Sequence, residues 1–468
     1  MHRLRPQNVL KMKWEKLISN KRLGQEDRHP ERHDDRSEFK RDYDRLIFSA
    51  PFRRMQNKTQ VFPLPGSIFV HNRLTHSLDV ASVGQSLGTD VARAILKKRP
   101  ELAETLFPEI GTIVAAACLA HDMGNPPFGH SGETAIQTFF TEGKGSYLKK
   151  RVSPSFWSDI THFEGNANAF RILTHRFKGR RPGGFAMTYS TLASIVKYPY
   201  ASSLADGKKQ KFGFFTTEAD YFQKIAEELE LPSVPRIEGS SEPVLPGFET
   251  DVCFRRHPLV YLVEAADDIC YEIMDIEDAH KLKLISFDDT RRLLLGFLPQ
   301  EMQKDIDKRL KEEGVADRSE QVAYFRACVI GVLEKACVDA FVANEESILA
   351  GTFAGSLTGN MPERECKAYR RCVKFSHENI YVSKPVLDVE FGGFKIMDTL
   401  LDVMIEAVVN PSRYYSQRLM GVVSSQYDIN SPDLETRIMA VIDYISGMTD
   451  VYALDFYQKI TGLSLPKV

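Results

Sequence analysis

The sequence predicts an all-α fold with a minor β-hairpin, and three observations carry that expectation. Apolar residues in most long segments recur at intervals of three and four, the spacing of one helix face. Strand signals are few, the clearest being Phe212 to Thr216, which reads as a small hairpin. The composition, 43% hydrophobic and 26% charged over 468 residues, is that of a globular protein with an ordinary packed core, neither disordered nor embedded in a membrane.

Taken in order, residues 1–45 read as an N-terminal arm. Its start, Met1-His2-Arg3-Leu4-Arg5, is basic but leads into Lys11, Lys13, Glu15 and Lys16 instead of the apolar run of a secretory signal. The stretch from Lys21 to Arg54 mixes acids and bases so closely that a solvated arm is expected before a polyanion site. Its Lys and Arg still leave single-stranded DNA open as a partner. Residues 46–300 read as the core. Within it, Leu78, Val80, Val83, Leu87, Val91 and Ile95 mark a helix from Thr75 to Leu96, with Thr75 at its cap and His76 in its first turn. A second helix, Gly111 to His121, is apolar nearly all round, as a central helix should be, and Gly124-Asn125-Pro126-Pro127 stops it. The apolar run Ile113 to Ala120 is far too short to span a bilayer. Residues 199–256, rich in Ser, Gly, Pro and charge, read as a surface insertion. A third helix starts at His257-Pro258, with Pro in the first helical position, and runs to Asp275. Residues 301–468 read as a C-terminal helical region packed on the core, with helices across 301–350, 394–409 and 433–460. Seven cysteines, an odd number without a Cys-x-x-Cys pair, fit free thiols in a reducing, cytoplasmic setting.

The chemistry concentrates around His121-Asp122. Adjacent His and Asp at a helix end can both turn toward one divalent ion, although in isolation such a pair in a core helix is more often simply hydrogen-bonded. Context shifts the balance, because the helix entry Asn72 to Val80 supplies a second histidine, His76, and a strongly apolar helix supplies Asp267. On that helix positions 267, 271 and 275 share a face while 268 is turned about 100° away, so Asp267, Tyr271 and Asp275 can share a cavity. His130 and Glu133, three residues apart, can pair if a helix begins there. The sequence has no Gly-x-x-x-x-Gly-Lys-[Ser/Thr] loop and no Ser or Cys nucleophile motif.

The order His, His-Asp, Asp resembles the ligand set of HD phosphohydrolases, and longer blocks narrow the likeness. The run His121-Asp122-Met123-Gly124-Asn125-Pro126-Pro127-Phe128-Gly129-His130-Ser131-Gly132-Glu133 resembles the extended signature of bacterial dGTP triphosphohydrolases. So do Phe52 to Phe62, His162 to Ala167, Lys197-Tyr198-Pro199, Glu264 to Tyr271 and Asp443 to Asp450, in family order over most of the chain. The resemblance implies an HD-domain helical core with helical elaborations, and metal ligands at His76, His121, Asp122 and Asp267. Such a set suits Mn or Mg, and also Fe or Co.

The same resemblance implies a catalytic pair, His130 protonating the departing 5′ oxygen and Glu133 holding its tautomer, with His162 as a further active-site histidine. It implies Arg73 and Lys197 on the triphosphate, and Gln60 and Asp275 on the sugar 3′ hydroxyl. It also implies Tyr271 beneath the sugar, where a 2′ hydroxyl would collide. The reaction expected is hydrolysis of a deoxynucleoside triphosphate, with dGTP the leading candidate, by metal-activated water at the α-phosphorus, giving deoxynucleoside and intact triphosphate. A homo-hexamer and a nucleotide activator are the partners that relatives suggest. The bare ligand set also admits an HD phosphohydrolase of another nucleotide, and a nucleotide sensor or single-stranded nucleic-acid binder is the rival from a different class.

Overall fold

A computed structural model describes residues 11–27, 34–63, 69–205, 211–234 and 253–464. Helices dominate, and the one sheet among the described residues pairs Ser233–Val234 with Cys253–Phe254, antiparallel, with Ser233 opposite Phe254. None of the described helices is long and apolar enough to cross a membrane. All seven cysteines are free thiols, six of them buried.

Three helices make the centre. The first, Arg73–Leu96, is closed by a capping box in which the Asn72 side chain accepts from the Thr75 N–H and the Thr75 hydroxyl accepts from the Asn72 N–H. Asn72 is therefore the cap expected at Thr75, and such a cap is worth about 1 kcal/mol. The second helix, Ile110–Ala120, lies along the first at very short range because both carry glycines at the contact. A Cβ on Gly88 would lie 2.8 Å from the Gly111 Cα, and one on Gly84 would lie 2.5 Å from the Cys118 Sγ. The third, Val260–Lys281, packs across both. Apolar faces of these helices, including Val80, Leu87, Ile113, Leu119, Ile269 and Ile273, fill the larger of two hydrophobic cores. The smaller core lies around Lys384–Val409, which packs on His130–Thr141 and on Leu434–Ser446 through Ile136, Phe140, Met397, Leu401 and Ile445.

The structure corrects several sequence expectations. The third helix begins at Val260, and His257 is pinned before it, its Nε2–H donating to the Leu17 carbonyl at 3.0 Å and its Nδ1 accepting from the Leu259 N–H at 3.2 Å. The 301–350 region is three helices, Gln300–Glu312, Arg318–Ala343 and Glu345–Leu349; Gly314 at φ +69° and the Asp317 cap separate the first two, and Asn344 separates the second from the third. Phe212 to Thr216 is not a hairpin. Its alternation serves burial of Phe212, Phe214 and Phe215, with Phe214 stacked on Phe222 at 4.9 Å between ring centres. That part of 199–256 is thus core, not surface insertion, while 206–210 and 235–252 lie outside the described residues.

The described part of the N-terminal arm is likewise packed on the core along one side, while Lys13, Lys16, Asp34 and Arg36 stay exposed. Trp14, Leu17, Leu23, Phe39 and Leu46 are buried, and so is Arg22, whose guanidinium binds Asp42 at 2.6 Å and the Ala186 carbonyl at 2.7 Å. Asp42 in turn accepts from the Thr188 N–H at 2.9 Å. Part of the segment's mixed charge is used in the buried Arg22–Asp42 pair, while Arg36 and Lys40 pair with Asp34 and Asp44 at the surface, a division that composition alone does not report.

Candidate active site

The capped first helix carries His76 in its first turn, the second ends at His121-Asp122, and the third brings Asp267 between them. His76 Nε2 lies 3.0 Å from Asp267 Oδ1, and His121 Nε2 lies 3.5 Å from that same oxygen and 3.7 Å from Asp122 Oδ1. One ligand atom from each of His76, His121 and Asp267 fits within 4.8 Å of the others. Metal bonds near 2.1 Å place neighbouring ligands about 3 Å apart, so this spacing suits one small divalent ion. His121 Nδ1–H donates to the Cys118 carbonyl at 2.6 Å, which fixes the tautomer and leaves Nε2 to offer a lone pair. That Nε2 is buried and has no hydrogen-bond partner among the described residues. Burial opposes charge on His121, but Asp122 and Asp267 outweigh it and raise its pKa to about 9, a measure of how strongly the cluster attracts a cation.

Asp122 is oriented from outside the cluster. Its Oδ2 accepts from Arg73 Nη1 at 2.7 Å and its Oδ1 from the Asn125 amide. Asp268 turns away, accepting from the Thr358 hydroxyl at 2.8 Å, as the helix periodicity requires.

His121, Asp122 and Asp267 open onto a cleft of about 170 Å³. Of the residues singled out in the sequence, Gln60, Arg73, His121, Asp122, His130, Glu133, Lys197, Asp267 and Tyr271 line it. His130 opens the helix His130–Thr141 with its side chain 82% exposed, and its Nδ1 lies 2.7 Å from Glu133 Oε2. That hydrogen bond raises the pKa of His130. The other Glu133 oxygen accepts from the Gly165 N–H at 2.7 Å. Burial pushes Glu133 up, yet His130 and that N–H hold it below the usual carboxylate range. Lys197 faces the cleft from a 2.9 Å ion pair with Glu264. The Oε1 of Gln60 is buried without a partner among the described residues.

Three expected site residues do not line the cleft: His76, which is buried and reaches it only through its contact with Asp267, and His162 and Asp275. His162 ends the helix Pro154–Thr161 and donates from Nδ1 to the Ser158 carbonyl at 3.0 Å, a bond made within its own helix. Asp275 is buried beneath the site, where its Oδ2 accepts from the Tyr381 hydroxyl at 2.9 Å and burial raises its pKa well above the carboxylate range. Tyr381 in turn lies against the Tyr271 ring, 5.9 Å between centres. Residues without an assigned role also line the cleft, among them Asn125, Glu164, Asn166, Lys211 and Glu264. Four of these sit inside the motif blocks, which was the available signal. Lys211 has no such signal, and it pairs with Glu164 at 3.4 Å.

With this geometry in view, the comparisons with known proteins are specific. Residues 73–164 match the HD domain and residues 360–459 match the phosphohydrolase-associated domain. The chain is 36% identical to a deoxyguanosinetriphosphate triphosphohydrolase-like protein of Pseudomonas aeruginosa, covering 97% of this chain and 100% of that protein. It is 37% identical, at the same coverage, to a protein of that name from Synechocystis. It is 27% identical to a deoxyguanosinetriphosphate triphosphohydrolase of Yersinia pseudotuberculosis, over 90% of this chain and 93% of the relative.

Proposed function

Because this chain belongs to the HD-domain family of deoxyguanosinetriphosphate triphosphohydrolase-like proteins, we propose that it hydrolyses deoxynucleoside triphosphates, dGTP first, to deoxynucleoside and intact triphosphate. The observation that carries this reading is the His76, His121, Asp267 cluster, with a buried unpartnered His121 Nε2, opening onto the same cleft as Arg73, Lys197 and Lys211. A divalent cation, Mn or Mg, held by His76, His121, Asp122 and Asp267 would polarise a phosphoryl oxygen and acidify water for attack at the α-phosphorus.

The remaining work falls to the chain's own side chains. Arg73, Lys197 and Lys211 supply fixed positive charge for a triphosphate, and the Arg73 contact with Asp122 couples that charge to the ligand set. His130 has Nδ1 engaged by Glu133, so Nε2 is the nitrogen available to give a proton to the departing 5′ oxygen at the cleft mouth. The unpartnered Gln60 Oε1 accepts from a sugar hydroxyl. Tyr271, backed by Tyr381, closes the space in which a 2′ hydroxyl would have to fit, and Asp275 acts on the sugar only through Tyr381.

The test is incubation of purified protein with each dNTP and with GTP, in Mn or Mg, with products separated by ion exchange. Deoxynucleoside plus intact triphosphate, lost in His121→Ala and Asp122→Ala, is the expected result. Pyrophosphate or phosphate as product would overturn attack at the α-phosphorus, and turnover of GTP equal to dGTP would overturn the role of Tyr271.

A further inference from the structure

We propose that Asp450 is a positioning residue of this cleft: its carboxylate, supplied by the C-terminal region, fixes both the backbone beside Gln60 and the turn that presents His130. The inference rests on the functional reading above, since it concerns the same cleft. Asp450 opens the helix Asp450–Ile460 behind the Thr449 cap and is buried. Its Oδ2 accepts from the Thr59 N–H at 2.7 Å and its Oδ1 from the Phe128 N–H at 3.0 Å. Thr59 immediately precedes Gln60. Phe128 and Gly129 precede His130 and hold consecutive left-handed conformations, φ 62° and 59°.

A phenylalanine adopts that conformation only where its surroundings impose it. Here the C-terminal region supplies two of the constraints. One is the Asp450 carboxylate on the Phe128 N–H. The other is Gly393, where an added Cβ would come within 2.5 Å of the Phe128 side chain. The Phe128-Gly129 kink is what starts the next helix at His130, so holding the kink aims the imidazole. Lys58 runs beside this connection, buried, its Nζ donating to the Asn125 carbonyl at 2.6 Å and to the Ser446 carbonyl at 2.9 Å. Asp450 itself is not among the residues lining the cleft, so it acts through the groups it holds. An amide in its place offers one acceptor oxygen and turns an NH₂ toward the other N–H.

The experiment compares wild type with Asp450→Asn, with His130→Ala and with the double variant, measuring kcat and KM for dGTP in Mn, alongside backbone hydrogen exchange. Misplacement of His130 is expected to lower kcat by roughly 10- to 100-fold in Asp450→Asn, and that loss should vanish when His130 is already alanine. Peptides carrying Thr59 and Phe128 should exchange faster in Asp450→Asn, while the peptide carrying Asp267 stays as in wild type. An equal kcat loss in both backgrounds, or unchanged exchange at Thr59 and Phe128, overturns the inference. Wild type inert toward every dNTP overturns the functional reading alone, because the exchange comparison needs no turnover. If Asp450→Asn does not fold, Asp450→Glu, which keeps the charge and displaces the acceptors by one methylene, takes its place in both measurements.

Discussion

His257 is held neutral from both sides, its Nε2–H donating to Leu17 and its Nδ1 accepting from Leu259, with burial lowering its pKa to about 4 from 6.5. A histidine whose folded pKa is depressed stabilises the fold fully above the unfolded pKa. That contribution shrinks as pH falls from 6.5 toward 4, by up to about 3 kcal/mol. Urea midpoints at pH 7.5 and 4.5 should therefore differ more for wild type than for His257→Gln, and equal differences would mean that His257 protonates without cost. At this scale the clustering of His76, His121 and Asp267 and the pairing of His130 with Glu133 were legible, because each sits at a helix position that periodicity and local motif define together. Asp275 was not, since its partner Tyr381 stands on a distant segment and spacing alone could place the carboxylate in the cavity but not say what satisfies it. His162 stands apart for the opposite reason: its motif neighbours enter the cleft, while its own Nδ1 is engaged one turn back.

The proposed metal ligands ride on helices whose separation is set by glycine. His76 belongs to Arg73–Leu96 and His121 follows Ile110–Ala120, so the 5.5 Å between those two imidazoles depends on how closely the helices pack. Gly88→Val would push the Gly88/Gly111 contact apart, since even a Cβ there meets backbone at 2.8 Å. Overpacking of this kind costs about 1–3 kcal/mol. The protein should melt at lower temperature and bind Mn at least about tenfold more weakly by calorimetry, the equivalent of about 1.4 kcal/mol. A lower melting point with unchanged Mn affinity would show that the strain is absorbed away from the ligands. Helix existence was readable from apolar period, but boundaries depended on caps and on long-range bonds. Asn72 rather than Thr75 closes the first helix because its short amide reaches the N3 N–H. Phe212 to Phe215 alternated like a strand because each aromatic ring is separately buried, a tertiary demand that local pattern cannot report.

The molecule is built on two hydrophobic cores, and the cleft draws on both, with His76, His121 and Asp267 on the helices of the larger and His130 at the head of a helix in the smaller. Arg171 ties them together. Its Nε and Nη2 each lie 2.8 Å from an Asp443 oxygen and its Nη1 lies 2.7 Å from Glu218, all three side chains being buried. Arg171→Met leaves buried Asp443 without its cation and Glu218 with His175 alone, a loss of about 3–5 kcal/mol. The chain's two tryptophans fall one to each core, Trp14 buried in the larger and Trp157 packed against the smaller, so Trp157→Phe and Trp14→Phe give separate fluorescence reporters. Wild-type unfolding in urea should show coincident midpoints from both reporters. In Arg171→Met the midpoints should separate, with the Trp157 signal changing first because Asp443 belongs to that core. Mn at about a hundred times its Kd should then raise only the Trp14 midpoint, by the equivalent of about 2.7 kcal/mol, since the clustered ligands stand on that side. Between the two midpoints the protein would still bind Mn yet lose turnover, because His130 is no longer held over the cleft. Coincident midpoints in Arg171→Met would instead mean that the backbone clamp at Asp450 and Lys58 suffices to make the two cores one cooperative unit.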